Sequence, residues 1–239
     1  GQSLPRRFAG CYKMFLQMGR VLIDRAVLGI LGPGKMKFTI DGRRRLLDLV
    51  AEGGGFILLM SHVGCWQVAV SALNFLTVPV NLLLEREEGN IDRHYFEYAG
   101  VSSPIKIIDP SGYLGGTLQM IEVLKKGEIL SMMGDRVFGS EKSCLPMDFL
   151  GEPAPFPFSA FKIASAAGVP IVVFFSCKTG YDSYALKVSR IIHIPGNVGR
   201  SAEAFRYYVS EFVEDLEQYT REHPYQFFNF YNMWQAPQD

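Results

Sequence analysis

The sequence predicts a single α/β domain with a central, mostly parallel mixed sheet, a preceding amphipathic helix, and a terminal helix with an aromatic tail. Short apolar runs of strand length alternate with longer amphipathic segments along most of the chain, the pattern of strands joined by helices. The 239 residues are 48% hydrophobic, which is enough for one sizeable core. The chain shows no internal repeat or obvious linker between domains, so two independent domains are not expected.

Residues 1–34 are predicted to form an amphipathic helix that ends in the linker Gly32-Pro33-Gly34. Helical spacing places apolar and small side chains on one stripe, with basic residues around it: Phe8, Tyr12, Phe15, Gly19, Leu22 and Ala26. Packing of this helix on the domain's own core is the favoured interpretation. Docking on anionic lipid is the alternative, and it requires the stripe to be exposed to solvent.

Residues 35–239 are predicted to form the α/β domain. Triple glycine at 53–55 ends its first helix, and Pro224 follows its last one, as expected for helix stops. The predicted order is helix 43–52, strand 56–60, helix 66–76, strand 80–84, helix 91–99, strand 104–108, helix 113–126, strand 128–133, helix 157–167, strand 170–175, edge strand 184–192 and helix 202–222.

The uncharged stretch 63–84 is long enough to span a bilayer. Its polar residues Gln67, Ser71 and Asn74 recur at helical spacing, however, and Pro79 then breaks the pattern. An amphipathic helix, a turn and a buried strand are therefore the better interpretation.

Charge and cysteine usage exclude two classes of protein. Lys plus Arg equals Asp plus Glu, at 24 each, so no overall positive field attracts nucleic acid. The four cysteines are scattered through apolar surroundings without a Cys-x2-Cys pair. This usage predicts reduced thiols in a cytosolic setting rather than a disulfide framework.

A histidine directly follows a probable buried strand. The motif Ser-His-Val-Gly-Cys-Trp-Gln, residues 61–67, comes after the apolar run 56–60, at the end of a strand where α/β proteins place chemistry. Strand 128–133 ends in Gly134-Asp135-Arg136, so parallel strands would bring an acid and a cation to the same edge. A structural histidine and an ordinary Asp-Arg ion pair are the plain alternatives.

Two aromatic segments follow. Residues 149–158, Phe-Leu-Gly-Glu-Pro-Ala-Pro-Phe-Pro-Phe, combine prolines and aromatic rings into an expected rigid apolar wall, although ordinary core segments look similar. Residues 223–234, His-Pro-Tyr-Gln-Phe-Phe-Asn-Phe-Tyr-Asn-Met-Trp, are unusually aromatic for a terminal region. This terminal segment either covers the core or lines a lipid-accessible surface.

Taken in order, these motifs resemble the lysophospholipid acyltransferase superfamily, in the branch of the lipid A lauroyl and myristoyl acyltransferases. That branch carries Ser-His-x-Gly-x-x-Glu, then Gly-Asp-Arg, then Phe-Leu-Gly with prolines and aromatics, and finally Pro-Tyr-Gln-x-Phe-Asn-Phe-Tyr. The resemblance covers about residues 8–234. Each motif alone is common, whereas the ordered set is fairly specific.

The resemblance implies transfer of a fatty acyl chain from acyl carrier protein or coenzyme A to a hydroxyl or amine of a lipid precursor. It implies no metal or redox cofactor, and a peripheral location at the cytoplasmic face of the bacterial inner membrane. His62 matches the general base, and Gln67 stands where the family has its acid. Asp135 and Arg136 match the second block, with Arg136 offsetting developing negative charge.

The resemblance also suggests residues that contact the substrates. Glu85 and Arg86 fall where relatives carry polar residues that contact the acceptor, a weaker correspondence. An apolar groove for the acyl chain is expected near His62, and its candidate lining residues are Trp66, Phe149, Gly151, Phe156 and Phe158.

Gln67 departs from the family pattern. Its amide oxygen can accept the ring N–H but carries no charge, and in serine-protease triads such a change costs on the order of 10⁴ in turnover. Three explanations stay open: the glutamine was introduced by substitution, another acid replaces it with Asp135 as first candidate, or the protein binds acyl lipids without transferring them. A Gln67→Glu variant is predicted to transfer acyl groups faster.

Other chemistries have weaker support. His62 and Cys65 supply only two ligands, too few for a closed zinc site. The sequence contains neither a Gly-x-Ser-x-Gly elbow after a predicted strand nor a Gly-rich nucleotide-binding turn, which disfavours a serine hydrolase and the usual nucleotide-binding proteins.

Overall fold

The computed structural model describes residues 3–84, 105–111, 113–137, 144–199 and 201–234. The helices are α1 (Leu4–Leu31), α2 (Arg43–Ala51), α3 (Trp66–Ser71), α4 (Thr117–Lys125), α5 (Ser159–Ala167) and α6 (Arg206–Glu222). The strands are β1 (Lys37–Asp41), β2 (Phe56–Met60), β3 (Val80–Leu83), β4 (Ile105–Ile108), β5 (Ile129–Met133), β6 (Cys144–Phe149), β7 (Glu152–Pro157), β8 (Ile171–Lys178) and β9 (Ser183–Ile192).

Within the described residues, seven strands form one mixed sheet in the order β1-β9-β8-β2-β5-β3-β4. The five strands from β8 to β4 run parallel to one another, whereas β9 is antiparallel to β8 and parallel to β1. One apolar core lies between the sheet and α1, α2 and α3. A second core lies between the other face and α4, α5 and α6. The predicted α/β class with a mostly parallel mixed sheet is therefore confirmed.

Strand β2 is the centre of the sheet, and all five of its residues are buried. Its backbone forms hydrogen bonds with β8 on one side and β5 on the other. Its side chains alternate between the two cores. A strand covered on both faces is expected to be continuously apolar, which explains why the run 56–60 was recognisable from sequence.

Helix α1 buries a different face from the predicted one. Val21, Asp24 and Leu28 are its buried residues, while Phe8 and Tyr12 of the predicted stripe are exposed. The helix packs on the domain's own core, as favoured from the sequence, but it does so through a different face, and the predicted stripe is exposed. The reason is that Asp24, which looks like a surface residue in the sequence, is paired in the interior with Lys178 of β8.

The segment 149–158, predicted to form a rigid apolar wall, belongs to a hairpin. Strands β6 and β7 pair antiparallel as a separate two-stranded sheet. Leu150 and Gly151 form the turn with φ of 56° and 94°, the left-handed conformation that two-residue hairpin turns require. The prolines of β7 are tolerated because a two-stranded ribbon leaves one side of each strand unpaired.

Two further predictions need adjustment, and a third is not tested. Residues 184–192 were predicted as an edge strand, but β9 lies between β1 and β8; the edge is β1, whose short, partly polar sequence gave no strand signal. Helix α3 ends at Ser71 instead of residue 76. The predicted helix 91–99 lies outside the described residues.

None of the four cysteines forms a disulfide bond in this structure. Of the helices that the structure describes, none combines the length and apolarity needed to cross a bilayer.

Candidate active site

The register of β2 and β5 brings His62 and Asp135 together. These parallel neighbours pair Met60 with Met133, so the residues two positions beyond each strand meet at the carboxyl edge of the sheet. The His62 ring bonds through Nδ1 to Asp135 Oδ1 at 2.9 Å. The backbone N–H of His62 also donates to Asp135 Oδ2 at 2.9 Å. Both carboxylate oxygens therefore hold the histidine.

Burial differs sharply within this pair. The Asp135 side chain is 0% exposed and the His62 side chain is 21% exposed. Because a carboxylate accepts hydrogen bonds, the bond to Asp135 assigns the proton of a neutral His62 ring to Nδ1. The second ring nitrogen, Nε2, is then unprotonated. The pair is thus an oriented base at the border between the interior and the surface.

The loop after His62 is held by Ser176 of β8. The Ser176 hydroxyl accepts from the Cys65 backbone N–H at 2.8 Å and donates to the Val63 carbonyl at 3.2 Å. Gly64 adopts a φ of 55°, and a Cβ at this position would lie 2.0 Å from the Ser176 carbonyl oxygen. The glycine of the motif is therefore required by a close backbone approach.

Gln67 occupies the interior of the short helix α3 and is buried. Its Oε1 lies 3.5 Å from Cys65 Sγ. Burial raises the pKa of the Cys65 thiol to about 12, so the group beside Gln67 is neutral. From the resemblance, the His62 ring N–H was expected to contact the residue at position 67. In the structure, Nδ1 of His62 bonds to Asp135 instead.

Arg136 binds the C-terminal segment, residues 223–234. Its Nε donates to Asn229 Oδ1 at 3.1 Å, and its Nη2 donates to the Phe228 carbonyl at 2.9 Å. Its guanidinium also lies over the Tyr231 ring, 5.7 Å from the centroid. Arg136 thus positions this segment beside the histidine.

The C-terminal segment is bonded directly to the histidine loop. The Phe228 backbone N–H donates to the His62 carbonyl at 2.8 Å, and the Gly64 N–H donates to the Gln226 carbonyl at 2.8 Å. Phe227 forms an antiparallel bridge with Val63. The segment therefore supports the catalytic candidate through main-chain contacts.

Tyr231 lies near the pair and remains a neutral phenol. Burial, followed by the negative charge of Asp135, raises its pKa, and Arg136 opposes the shift.

Most of the predicted groove residues lie in the cores. Phe149 and Phe156 are fully buried, with their ring centroids 5.5 Å apart, and Phe158 stacks on Phe205. Trp66 is half-buried against the opposite core, and Gly151 belongs to the hairpin turn. In the part of the chain that the structure describes, these phenylalanines form closed packing rather than an open groove.

Glu85 and Arg86 lie outside the described residues. Two cavities, of about 780 and 640 Å³, are lined by residues of β6 and α6 and by residues of α1 and the β8–β9 turn, respectively. His62 is not among the described residues that line either cavity. The same portion of the chain contains no group of three His, Cys, Asp or Glu side chains that could hold a metal ion.

Sequence reasoning missed Ser176, Gln226 and Asn229 as supports of the site. Ser176 lies inside an apolar strand, with no local pattern to mark it. Gln226 and Asn229 did carry a signal, because they are polar residues within an otherwise aromatic segment.

The fold and the site define a class: an α/β protein with a histidine–carboxylate pair at the carboxyl edge of a mostly parallel sheet. Residues 9–236 match the family described as bacterial lipid A biosynthesis acyltransferase. The chain belongs to that family, which supports acyltransferase activity in lipid A biosynthesis. No curated protein matches the chain.

Proposed function

We propose that this protein transfers a fatty acyl chain from a thioester donor to a hydroxyl or amine of a lipid precursor, with His62 as general base and Asp135 as its acid partner. The observation that carries the proposal is the doubly bonded His62–Asp135 pair. Family membership supports the reaction class.

In this mechanism the acceptor approaches Nε2 of His62. The ring nitrogen takes the acceptor proton as the acceptor oxygen or nitrogen attacks the thioester carbonyl. The tetrahedral intermediate then collapses, the carbon–sulfur bond breaks, and the imidazolium returns its proton to the departing thiolate. No step consumes a metal or a redox equivalent.

Asp135 fixes the ring and stabilises the imidazolium. It accepts from Nδ1 and is fully buried, so its negative charge acts in a medium of low dielectric constant, where it is strongest. The backbone N–H of His62 occupies the second carboxylate oxygen and restricts rotation of the carboxylate. In this proposal Asp135 takes the role of the family's acid, and Gln67 does not act on the ring.

In this scheme the main role of Arg136 is to hold the C-terminal segment in place. Two of its nitrogens are bonded to Phe228 and Asn229, so it holds the C-terminal segment while its charge favours developing negative charge nearby.

The donor is acyl carrier protein or acyl-CoA, the acceptor is a lipid, and the site of action is the cytoplasmic face of the bacterial inner membrane. A lipid acceptor at a membrane surface suits a histidine whose side chain is 21% exposed, because the base is accessible without being fully hydrated.

The test is acyl transfer measured by mass spectrometry. Purified protein is incubated with long-chain acyl carrier protein or acyl-CoA and a bacterial lipid extract, and acylated lipid products are identified. Wild-type protein is expected to form a product, and His62→Ala is expected to lose at least about 10²-fold in rate, the lower range for general base catalysis.

The control is His193→Ala, which removes a histidine that is not part of the site. Its rate is expected to match that of the wild type. Bound acyl lipid without any acylated product would contradict the proposal and favour the alternative, a non-catalytic acyl-lipid-binding protein. An undiminished rate in His62→Ala would exclude His62 as the base.

A further inference from the structure

Exposed aromatic side chains concentrate on the first half of α1. Phe8 and Tyr12 are each 69% exposed, and Phe15 is 63% exposed. Residues separated by three or four positions share one side of a helix, so the three rings form one apolar strip. Side chains of this size rarely lie together on a surface that only water contacts.

The C-terminal segment extends this strip. The rings of Phe15 and Phe230 stack with centroids 5.4 Å apart, and Phe230 and Tyr231 are both about half exposed. We call Phe8, Tyr12, Phe15, Phe230 and Tyr231 the aromatic surface. It joins two parts of the chain that are far apart in sequence.

The charge around the aromatic surface is positive. Helix α1 carries five basic residues and one acidic residue, Asp24. Asp24 is buried and paired with Lys178, so the acidic charge is withdrawn from the surface of the helix. The whole chain has no net charge, so the excess of positive charge is a property of this helix, and its basic residues lie on the two sides of the aromatic strip. The basic residues of the helix are Arg6, Arg7, Lys13, Arg20 and Arg25.

Aromatic rings flanked by Lys and Arg match the boundary between headgroups and acyl chains of an anionic leaflet. A protein partner would need complementary pockets for all of these rings. A nucleic acid is disfavoured because the chain as a whole carries no net positive charge, so the anionic lipid surface is the occupant that satisfies both features.

The aromatic surface is also connected to the candidate base. Phe228 donates its backbone N–H to the His62 carbonyl. Its ring stacks on the ring of Phe230, which belongs to the aromatic surface. Arg136 binds both Phe228 and Asn229. A leaflet in contact with Phe230 and Tyr231 therefore borders the His62 loop.

We infer that the aromatic surface docks the protein on an anionic lipid leaflet and presents His62 to acceptor lipids in that leaflet. The docking part is independent of the proposed function, whereas the presentation of acceptor rests on it. The contact is peripheral, because the rings enter the interface while the sheet stays outside it.

The experiment is flotation of the full chain with vesicles of phosphatidylglycerol and phosphatidylethanolamine, compared with phosphatidylcholine vesicles. Wild type is expected to float with the anionic vesicles and to detach as salt is raised, since surface charges are screened. The Phe8→Ser/Tyr12→Ser double variant is expected to bind roughly tenfold more weakly. Leu118→Ser/Tyr207→Ser is the matched control, because these side chains are 60% and 67% exposed on the helices of the other sheet face; its binding is expected to match wild type.

Two further readouts separate this inference from the proposed function. His62→Ala is expected to lose acyl transfer while binding vesicles as wild type does. The Phe8/Tyr12 double variant is expected to lose transfer to acceptor in vesicles but to retain transfer to detergent-dispersed acceptor. Vesicle binding equal to wild type in that variant, or equal binding to neutral vesicles, would overturn the inference. Sedimentation that reveals a dimer dependent on Phe8 and Tyr12 would overturn it in favour of a second copy.

Discussion

Two buried carboxylates, Asp135 and Asp24, have similar burial and different surroundings. Asp135 holds a histidine whose side chain is 21% exposed, at the edge of the sheet where two parallel strands end. Asp24 lies between α1 and the sheet, where its partners Lys178 and Tyr184 are themselves buried. One carboxylate has a partner that can reach a substrate, and the other has partners enclosed by protein.

The enclosed cluster is a structural anchor. Lys178 donates to Asp24 and to the Tyr181 carbonyl, the latter at 2.7 Å. Burial raises the pKa of Tyr184 far above its usual value, so its phenol stays neutral and donates to Asp24. The cluster fastens the second half of α1 to β8 and β9. A buried carboxylate in an ion pair is therefore not by itself a candidate catalytic acid. What distinguishes Asp135 from Asp24 is that its partner, His62, is partly exposed to solvent.

The largest expected effect is on activity, at Asp135. Asp135→Asn is expected to lower the rate of acyl transfer on the order of 10⁴-fold, because an amide neither enforces the Nδ1–H tautomer nor stabilises the imidazolium. The measurement is the turnover rate by mass spectrometry, with circular dichroism confirming the fold. Asp24→Asn serves as the comparison and is expected to retain transfer. A transfer rate in Asp135→Asn equal to that of wild type would show that Asp135 has no greater role in transfer than Asp24.

The next effect is on stability, at Lys178. Lys178→Met leaves the Asp24 carboxylate buried without its cation, which typically costs about 3–5 kcal/mol in the free energy of unfolding. Urea unfolding measures the change. The Asp24→Leu/Lys178→Met double variant removes both charges and is expected to recover most of the loss. A single variant as stable as wild type would show that the cluster is not an anchor.

A smaller effect is expected at Gln67, where the structure changes the prediction made from sequence. Gln67 is buried next to the neutral thiol of Cys65, and burial of a carboxyl group raises its pKa and favours its neutral form. With Asp135 already on the ring, Gln67→Glu is expected to leave the transfer rate within about twofold of wild type. A large acceleration would instead make position 67 the site of the acid and reduce Asp135 to a support.

The smallest effect concerns thiol reactivity near the anchor. Burial raises the pKa of Cys65 to about 12 and also raises that of Cys177, so at pH 8 both are protonated and unreactive, because the thiolate is the nucleophile. Iodoacetamide is expected to modify the exposed Cys11 in native protein and to spare these two. Faster labelling of Cys65 in Lys178→Met, followed by peptide mass spectrometry, would show that the anchor protects the interior.

The central sheet and the proximity of His62 and Asp135 could be predicted from the sequence. The apolar runs of β2 and β5 are buried on both faces, and parallel strands place the residues after them at one edge, so His62 and Asp135 could be expected to be neighbours. The identity of the ring's partner remained open, because the motif pointed to position 67 and only the register of β2 with β5 selects Asp135.

Other features depend on tertiary contacts that leave no local pattern. The buried face of α1 includes Asp24, which hydrophobic periodicity assigns to the surface until Lys178 is known to lie opposite. Ser176 supports the histidine loop from the middle of an apolar strand. The hairpin of β6 and β7 contains prolines that argue against a strand unless it lies in a two-stranded ribbon.

The bond from the Phe228 N–H to the His62 carbonyl has a consequence for the order in which the protein folds during synthesis. The ribosome makes the histidine loop well before its main-chain support, although domains begin to fold from their N-terminal side as they emerge. A nascent chain that has not yet reached residue 228 can assemble most of the sheet, but its histidine loop lacks that support. We therefore expect the final geometry of the His62–Asp135 pair to form only after residue 228 has emerged.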